Sequence, residues 1–429
     1  MSKETASRAK ALRAELLPIG AASAVLILVI GWITLYATAR LSDRLGRFEN
    51  SASVADLDGD GDLDVILASR RWENEDTSFA GITLWINKGD GVFSPGDQDL
   101  PGGFAAAAGD IDGDGDADLL ILDGYALTPA LNQGGLQGGS PGVFERNNPI
   151  RPSQQWRGHA DMGGSVTLGD LNDDGEVDGF VTGCCYGSGV DLSSAAAIHM
   201  PSFSWVWINE WDPRGWLVRH SLYLTGLDGL PLRGAAMGDL DGDGDLDALA
   251  AVARPTMGTA ENLGDLVLLN DGTGDLAASD QRLGDADSTA VALGDLDGDG
   301  DVDGVTGTQE GATVWINQGR AQGGQEGRFA PSGQQIGGNP TRAVFVRDLD
   351  GDGDQDILIV GQRQADIWWN DGLGVFSRSD QRFHYSERHG LAVGDFNGDG
   401  FPDAFAGAGS DSYSAWFNRG DGTFRSSGK

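Results

Sequence analysis

Five aspartates stand within nine residues at Asp56–Asp64, DLDGDGDLD, and the pattern returns six more times as DIDGDGDAD, DLNDDGEVD, DLDGDGDLD, DLDGDGDVD, DLDGDGDQD and DFNGDGFPD. The copies start at Asp56, Asp110, Asp170, Asp239, Asp295, Asp348 and Asp395. Carboxylates this close repel one another unless something neutralises them. Oxygen donors at alternate positions of a tightly turned loop converge on one point. A hard cation accepting about six to eight oxygens at about 2.3–2.6 Å matches that arrangement, which is the chemistry of Ca²⁺. The sixth residue is glycine in every copy (Gly61, Gly115, Gly175, Gly244, Gly300, Gly353, Gly400), where a positive φ would let the backbone wrap the ion. An EF-hand would need a glutamate at the twelfth position and helices on both sides. The first loop has Leu67 there, and its flanks read as strands. A merely solvated acidic loop has no need of fixed ligand spacing, and seven copies keep it.

The elements that position these loops repeat with them. A short run of small apolar residues precedes each loop (AAAAGD, SVTLGD, AVALGD), and a longer apolar run follows (VILAS, LLIL, ALAAV, ILIVG). Next comes an aromatic-alternating segment ending in Asn and glycines, such as ITLWINKGDGVF, ATVWINQG, DIWWNDGLGVF and SAWFNRGDGTF. Runs this short, β-branched or aromatic and bounded by Gly, Asn and Asp, predict strands. Four strands per unit, repeated at intervals of 47 to 69 residues, predict an all-β, seven-bladed β-propeller over residues 48–429. Gly46-Arg47-Phe48 has the G-x-F form of an outermost strand, yet Gly422-Thr423-Phe424 already fills that place in the last blade, so the closure of the ring is left open.

The totals fit an exported cation binder. The 429 residues carry a formal net charge of −36, and 33 of the 65 acidic residues lie in the seven loops. So acidic a surface is unsuited to sequence-blind nucleic-acid binding, which needs cations. Residues 16–39 contain no charge and are long enough to span a bilayer as one helix. Lys3, Arg8, Lys10 and Arg13 outweigh Glu4 and Glu15 before it, which places the N-terminus in the cytoplasm. The expected organisation is a cytoplasmic tail (1–15), a transmembrane signal-anchor helix (16–39), a linker (40–47) and a propeller outside the cytoplasm, in the periplasm or at the cell surface. Ala37-Thr38-Ala39 offers the alternative of cleavage and secretion. Cys184 and Cys185 are adjacent, either as a vicinal disulfide or as two thiols.

These loops and their flanking strands resemble the FG-GAP/VCBS repeats, the calcium-loop propeller of integrin α-subunit heads and many exported bacterial proteins. The resemblance implies that the first, third, fifth and ninth side chains bind Ca²⁺ and that the seventh residue gives its carbonyl. In the first blade these are Asp56, Asp58, Asp60 and Asp64 with Asp62, and in the second Asp110, Asp112, Asp114 and Asp118 with Asp116. The third blade offers Asp170, Asn172, Asp174 and Asp178 with Glu176, the fourth Asp239, Asp241, Asp243 and Asp247 with Asp245. The fifth has Asp295, Asp297, Asp299 and Asp303 with Asp301, the sixth Asp348, Asp350, Asp352 and Asp356 with Asp354. In the seventh, Asp395, Asn397, Asp399 and Asp403 join the carbonyl of Phe401. That makes up to seven Ca²⁺, one per blade. Arg347 replaces the small residue expected before a loop and predicts altered geometry in the sixth blade.

In that family the opposite face is built from second-to-third and fourth-to-first connections, where ligands dock. Here those connections hold Arg70, Arg71, Trp72, Arg233, Arg254, Arg342, Arg363, Arg388 and His389, with Arg151, Trp156, Arg157, His159, Arg378, Arg382 and His384 nearby in sequence. Arg233, Arg342 and His389 each precede their loop's first aspartate by six residues. Arginine forks suit carboxylates, and aromatic rings suit sugars. The expectation is a binding or adhesion module for a protein or glycan ligand of anionic character. A carbohydrate-cleaving lyase or hydrolase and a structural subunit of an envelope complex are the alternatives. The longest insertions hold His159, Asp161 and His199, but no nucleophile elbow or zinc motif joins them into a catalytic set.

Overall fold

The computed structural model describes residues 48–72, 78–123, 126–150, 164–183, 204–212, 216–223, 230–253, 264–285, 287–319, 322–386, 390–408 and 412–427. Contacts divide the chain into two compact units, residues 1–48 with 71–79 and residues 49–70 with 80–429. Of the first, Phe48, Arg71, Trp72, Ser78 and Phe79 are described, as ends of strands. The second carries the propeller.

Seven four-stranded sheets follow one another along the chain, each hydrogen-bonded in chain order from first strand to fourth. The first strands are Phe48–Ala55, Ala105–Gly109, Val166–Gly169, Leu232–Gly238, Ala290–Gly294, Ala343–Arg347 and Gly390–Gly394. Every second strand begins on the ninth residue of an acidic loop: Asp64–Trp72, Asp118–Asp123, Asp178–Val181, Asp247–Val252, Asp303–Thr308, Asp356–Val360 and Asp403–Ala408. The third strands are Ser78–Asn87, Ala126–Asn132, Trp205–Asp212, Asp265–Leu269, Gly311–Asn317, Gln364–Asn370 and Ser412–Asn418. The fourth are Phe93–Pro95, Phe144–Arg146, Trp216–Tyr223, Ala277–Leu283, Phe329–Ile336, Phe376–His384 and Phe424–Ser426.

Burial explains the composition of each strand. Second strands such as Asp247–Val252 and Asp356–Val360 are buried at every position. A strand covered on both faces needs no polar side, hence the unbroken apolar runs. First strands are less covered; Ala290–Gly294 is half-buried throughout. Seven hydrophobic clusters occupy the seven seams between neighbouring blades. At the seam between blades three and four, for example, Leu171, Phe180 and Val206 pack with Ala248, Leu266 and Leu268.

Among the described residues no strand is exchanged between the first and last blades. The first blade is built wholly from residues 48–95 and the seventh wholly from residues 390–426. Phe48 opens a first strand, not the outer strand its G-x-F setting suggests, and Phe424 opens the fourth strand of the last blade. The two blades meet in a seam rich in aromatic side chains. Val65, Leu67, Trp85 and Phe93 pack against Ala392, Phe396, Phe405 and Tyr413. Phe93 and Phe405 meet edge to face at 4.7 Å, and Trp85 and Tyr413 likewise at 5.1 Å. Among the described residues no helix is long and apolar enough to cross a membrane. The anchor expected at 16–39, like Cys184 and Cys185, lies outside the described residues.

Candidate metal centre

Each acidic loop is first a set of backbone hydrogen bonds. Asp56 accepts the Gly59 amide on Oδ1 at 2.8 Å and the Gly61 amide on Oδ2 at 2.9 Å. Asp60 Oδ1 accepts the Asp62 amide at 3.0 Å. The sixth glycine has φ between 89° and 102° in all seven loops. Nothing lies within 4 Å of where a β-carbon would sit at Gly61 or Gly244, so the left-handed backbone alone requires glycine there. The sixth blade repeats this geometry. Asp348 accepts the Gly351 amide at 2.7 Å and the Gly353 amide at 3.1 Å, while Arg347 stays exposed. The alteration expected from Arg347 is absent because its side chain leaves the loop's packing untouched.

The ninth aspartate does more than end the loop. Asp64, fully buried, accepts the Leu57 amide on Oδ2 at 2.9 Å and the Asn87 amide on Oδ1 at 2.7 Å. The same pair of bonds reaches Asp118, Asp178, Asp247, Asp303, Asp356 and Asp403. Loop and third strand are thereby tied to one carboxylate.

The asparagine then reaches out of its own blade. Asn132 Nδ2 donates to the Leu57 carbonyl of the first blade at 2.8 Å, and Asn209 donates to Ile111 of the second at 2.8 Å. Asn270, Asn317, Asn370 and Asn418 do the same to Leu171, Leu240, Leu296 and Leu349, at 2.7 to 2.8 Å. Asn87 completes the circle by donating to Phe396 of the seventh blade at 2.8 Å. A second set of ties lies nearer the rim, where Gln98, Gln281, Gln334 and Gln381 each exchange two hydrogen bonds with the start of the next blade's fourth strand. Sequence reading registers the recurring Asn as a strand end and passes over the Gln, because neither shows its partner in the neighbouring blade.

The carboxylates left over fit a cation. Oxygens of Asp56, Asp58 and Asp64 lie within 4.8 Å of one another, as do those of Asp110, Asp112 and Asp118; of Asp239, Asp241 and Asp247; of Asp295, Asp297 and Asp299; and of Asp348, Asp350 and Asp356. At the third place, Oδ1 of Asp58, Asp112, Asp241 and Asp297 is buried without a hydrogen-bond partner. Leaving such an oxygen bare is costly, and a cation among the carboxylates would satisfy it. An all-oxygen donor set suits a hard divalent ion. The ninth carboxylate keeps lone pairs beyond these amide bonds, Asp247 Oδ2 excepted, which also accepts the Asp241 amide at 3.3 Å. Burial first, then the charges of Asp114 and Asp110, pushes Asp112 up to about 6. Burial likewise lifts Asp64, Asp118, Asp303, Asp356 and Asp403 to about 7, and Asp178 and Asp247 to about 6, against their amide bonds.

The seventh side chain needs space. A β-carbon at Gly134, Gly272, Gly319, Gly372 or Gly420 would strike Asp116, Asp245, Asp301, Asp354 or Phe401 respectively. This accounts for the glycine two residues after the clasping Asn in those blades.

The arginines do not all occupy connections. Arg70, Arg71 and Trp72 continue the second strand of the first blade, and Arg378, Arg382 and His384 belong to the fourth strand of the sixth. There Arg378 and Arg382 approach buried Asp366 at 2.8 and 3.3 Å. Arg233, in a first strand, pairs with Asp287 at 3.3 Å. Arg342 and Arg363 each act on Tyr385 of the sixth blade. The Arg363 carbonyl accepts the Tyr385 amide, the Tyr385 hydroxyl donates to Gly361 and Gln364, and the Arg342 charge acts on that phenol against the dominant effect of its burial. Arg254, Arg388 and His389 lie outside the described residues, as do Arg151, Trp156, Arg157 and His159.

Seven sheets, each pinned by an acidic loop between its first and second strands, define a repeat-built β-propeller. Three stretches, residues 56–121, 295–358 and 348–406, match the family model of the FG-GAP-like repeat, so the propeller carries FG-GAP-like repeats. No curated protein matches the chain. Among solved structures, it is similar to an Agrocybe aegerita lectin described as recognising non-reducing terminal N-acetylglucosamine, at 18% identity over 89% of this chain and 79% of that one, with a TM-score of 0.37. It is also similar to a protein from Lactobacillus plantarum (10% identity, 88% and 95% covered, TM-score 0.47). A third likeness is to the V. cholerae biofilm matrix protein Bap1 (10% identity, 85% of each chain covered, TM-score 0.37). Overlaps this loose carry no argument about what the chain binds.

Proposed function

We propose that the protein is a calcium-stabilised binding or adhesion propeller, held outside the cytoplasm by the apolar segment at 16–39. The observation that carries the calcium reading is the bare, buried Oδ1 of the third-place aspartate, repeated at Asp58, Asp112, Asp241 and Asp297 within clusters of other carboxylates. In this reading the first and ninth aspartates hold the loop backbone and also turn a remaining lone pair to the ion, beside the oxygens of the third and fifth. Calcium supplies the positive charge that lets those carboxylates stay together.

The ligand side of the reading rests on the sixth blade, where Arg342 and exposed Arg363 flank the turn pinned by Tyr385. Guanidinium groups suit an acidic glycan or the carboxylates of a protein partner. The test is to screen the protein and an Arg342→Glu, Arg363→Glu double variant against a glycan array and by affinity capture from cell-surface extracts. Loss of a ligand that the unaltered protein retains supports the assignment; unaltered binding by the double variant removes it.

A further inference from the structure

The seven loops are not equivalent. In five of them (blades one, two, four, five and six) the third place is an aspartate, and a cluster of carboxylates surrounds a common point. Asp112 is the most enclosed of these third-place residues named above, 9% exposed, and its Oδ1 has no partner. Blades three and seven carry an asparagine there instead. Asn172 Nδ2 donates to Asp174 Oδ2 at 3.0 Å, and Asn397 Nδ2 donates to Asp399 Oδ2 at 3.0 Å. Each asparagine also accepts the amide of that fifth residue on Oδ1, at 3.2 and 2.9 Å. The amide therefore ties the third donor to the fifth within the loop, whereas the third-place carboxylates of blades one, two and five meet their N–H partners, Lys88, Gln137 and Gln322, from outside it. That tie quiets the charge of the fifth carboxylate with an N–H.

We propose that this propeller takes up calcium in two classes, five tight sites in blades one, two, four, five and six and two weak ones in blades three and seven, where an Asn–Asp hydrogen bond closes the loop without metal. The inference rests on the calcium reading above. Binding at blade three or seven must break an existing hydrogen bond and gains a neutral amide oxygen in place of a carboxylate. Affinity in oxygen-ligand loops falls as ligand charge falls. The two loops offer the same three ligand carboxylates, and blade three adds the neighbouring charges of Asp173 and Glu176, which favour a cation there over blade seven.

Calcium titration of the chelator-stripped protein, read by calorimetry and by equilibrium dialysis with calcium alone, separates the outcomes. Five equivalents should saturate at a free calcium at least about tenfold below that needed for the remaining two, the scale expected from one lost ligand charge. The variant Asn172→Asp, Asn397→Asp should convert the isotherm to seven tight equivalents. Asp112→Asn should leave four. Seven sites of one affinity in the unaltered protein, or a tight count of five that the double variant does not raise, overturns the two-class inference while calcium binding stands. Uptake of no calcium at all overturns the calcium reading beneath it.

Discussion

The edge of the propeller that carries the acidic loops and the edge that carries the second-to-third connections follow opposite rules. On the first, one asparagine bond recurs seven times at 2.7 to 2.8 Å, and one pair of amide bonds recurs on seven buried aspartates. On the second, two residues separate the described second and third strands in blade five, Thr308 from Gly311, and 23 residues of sequence separate them in blade three, Val181 from Trp205. Repetition marks what holds the ring together, since each blade must meet its neighbour in the same way. Variation marks where a particular ligand can be accommodated without disturbing that ring.

The strongest way to break this contrast is to remove calcium. Chelation should lower the melting temperature substantially, since an ion held at about 100 times its Kd stabilises a site by about 2.7 kcal/mol and several loops act together. An unchanged midpoint would mean that the loops are closed by their hydrogen bonds alone. Acid should then act in opposite directions on the two forms. The ninth aspartates bind protons at about 6 to 7 in the fold and at an ordinary 3.8 when unfolded. Between those values the ion-free native state holds more protons than the unfolded chain, so its stability falls as pH rises through about 4 to 7. The calcium-loaded form should instead lose stability as pH falls, because protons compete for the same oxygens. Urea midpoints from pH 4 to 7.5, with calcium and with chelator, would show the two slopes; slopes of the same sign would contradict the assignment.

Next in size is the clasp. Asn317→Ala strips hydrogen bonds from the carbonyls of Leu240 and Val302 and from the Gly327 amide, and should cost about 3 kcal/mol in urea unfolding. Gln281→Ala, on the partly buried rim tie to Phe329, should cost about 1 kcal/mol. A rim loss equal to the clasp loss would show that the loop-bearing edge has no special part in joining blades. The smallest effect belongs to the other edge. Arg363→Glu should change stability by less than about 0.5 kcal/mol, as exposed substitutions do. A larger loss would make that residue part of the frame.

Much of the loop-bearing edge was legible in the sequence, because its signals are local. The strand runs, the seven loops and the positive φ of the sixth glycine all follow from residues within nine positions of one another. What stayed hidden depends on partners far along the chain. Asn132 and Leu57, or Asn270 and Leu171, meet only once two blades have packed. The division of loops into those with a cluster of carboxylates around the third place and those bridged by Asn172 or Asn397 needed side-chain geometry as well as residue type. The Arg-bearing edge was less legible for a related reason. Whether Arg70 or Arg378 sits in a connection or a strand depends on where each hairpin turns, and no spacing rule governs those lengths.

The join between the first and last blades has a kinetic consequence. Its clasp, Asn87 to Phe396, links residues 309 apart, while the other six span 69 to 99. Drawing the chain ends together should cost about 1 kcal/mol more than forming an internal seam, since closure entropy grows only with the logarithm of length. Each edge-to-face ring pair adds about 0.5–1.5 kcal/mol beyond its burial, and Phe93–Phe405 and Trp85–Tyr413 supply two of them at this place. The aromatic residues thus offset the extra length, so the seam between the chain's ends need not be the weakest of the seven.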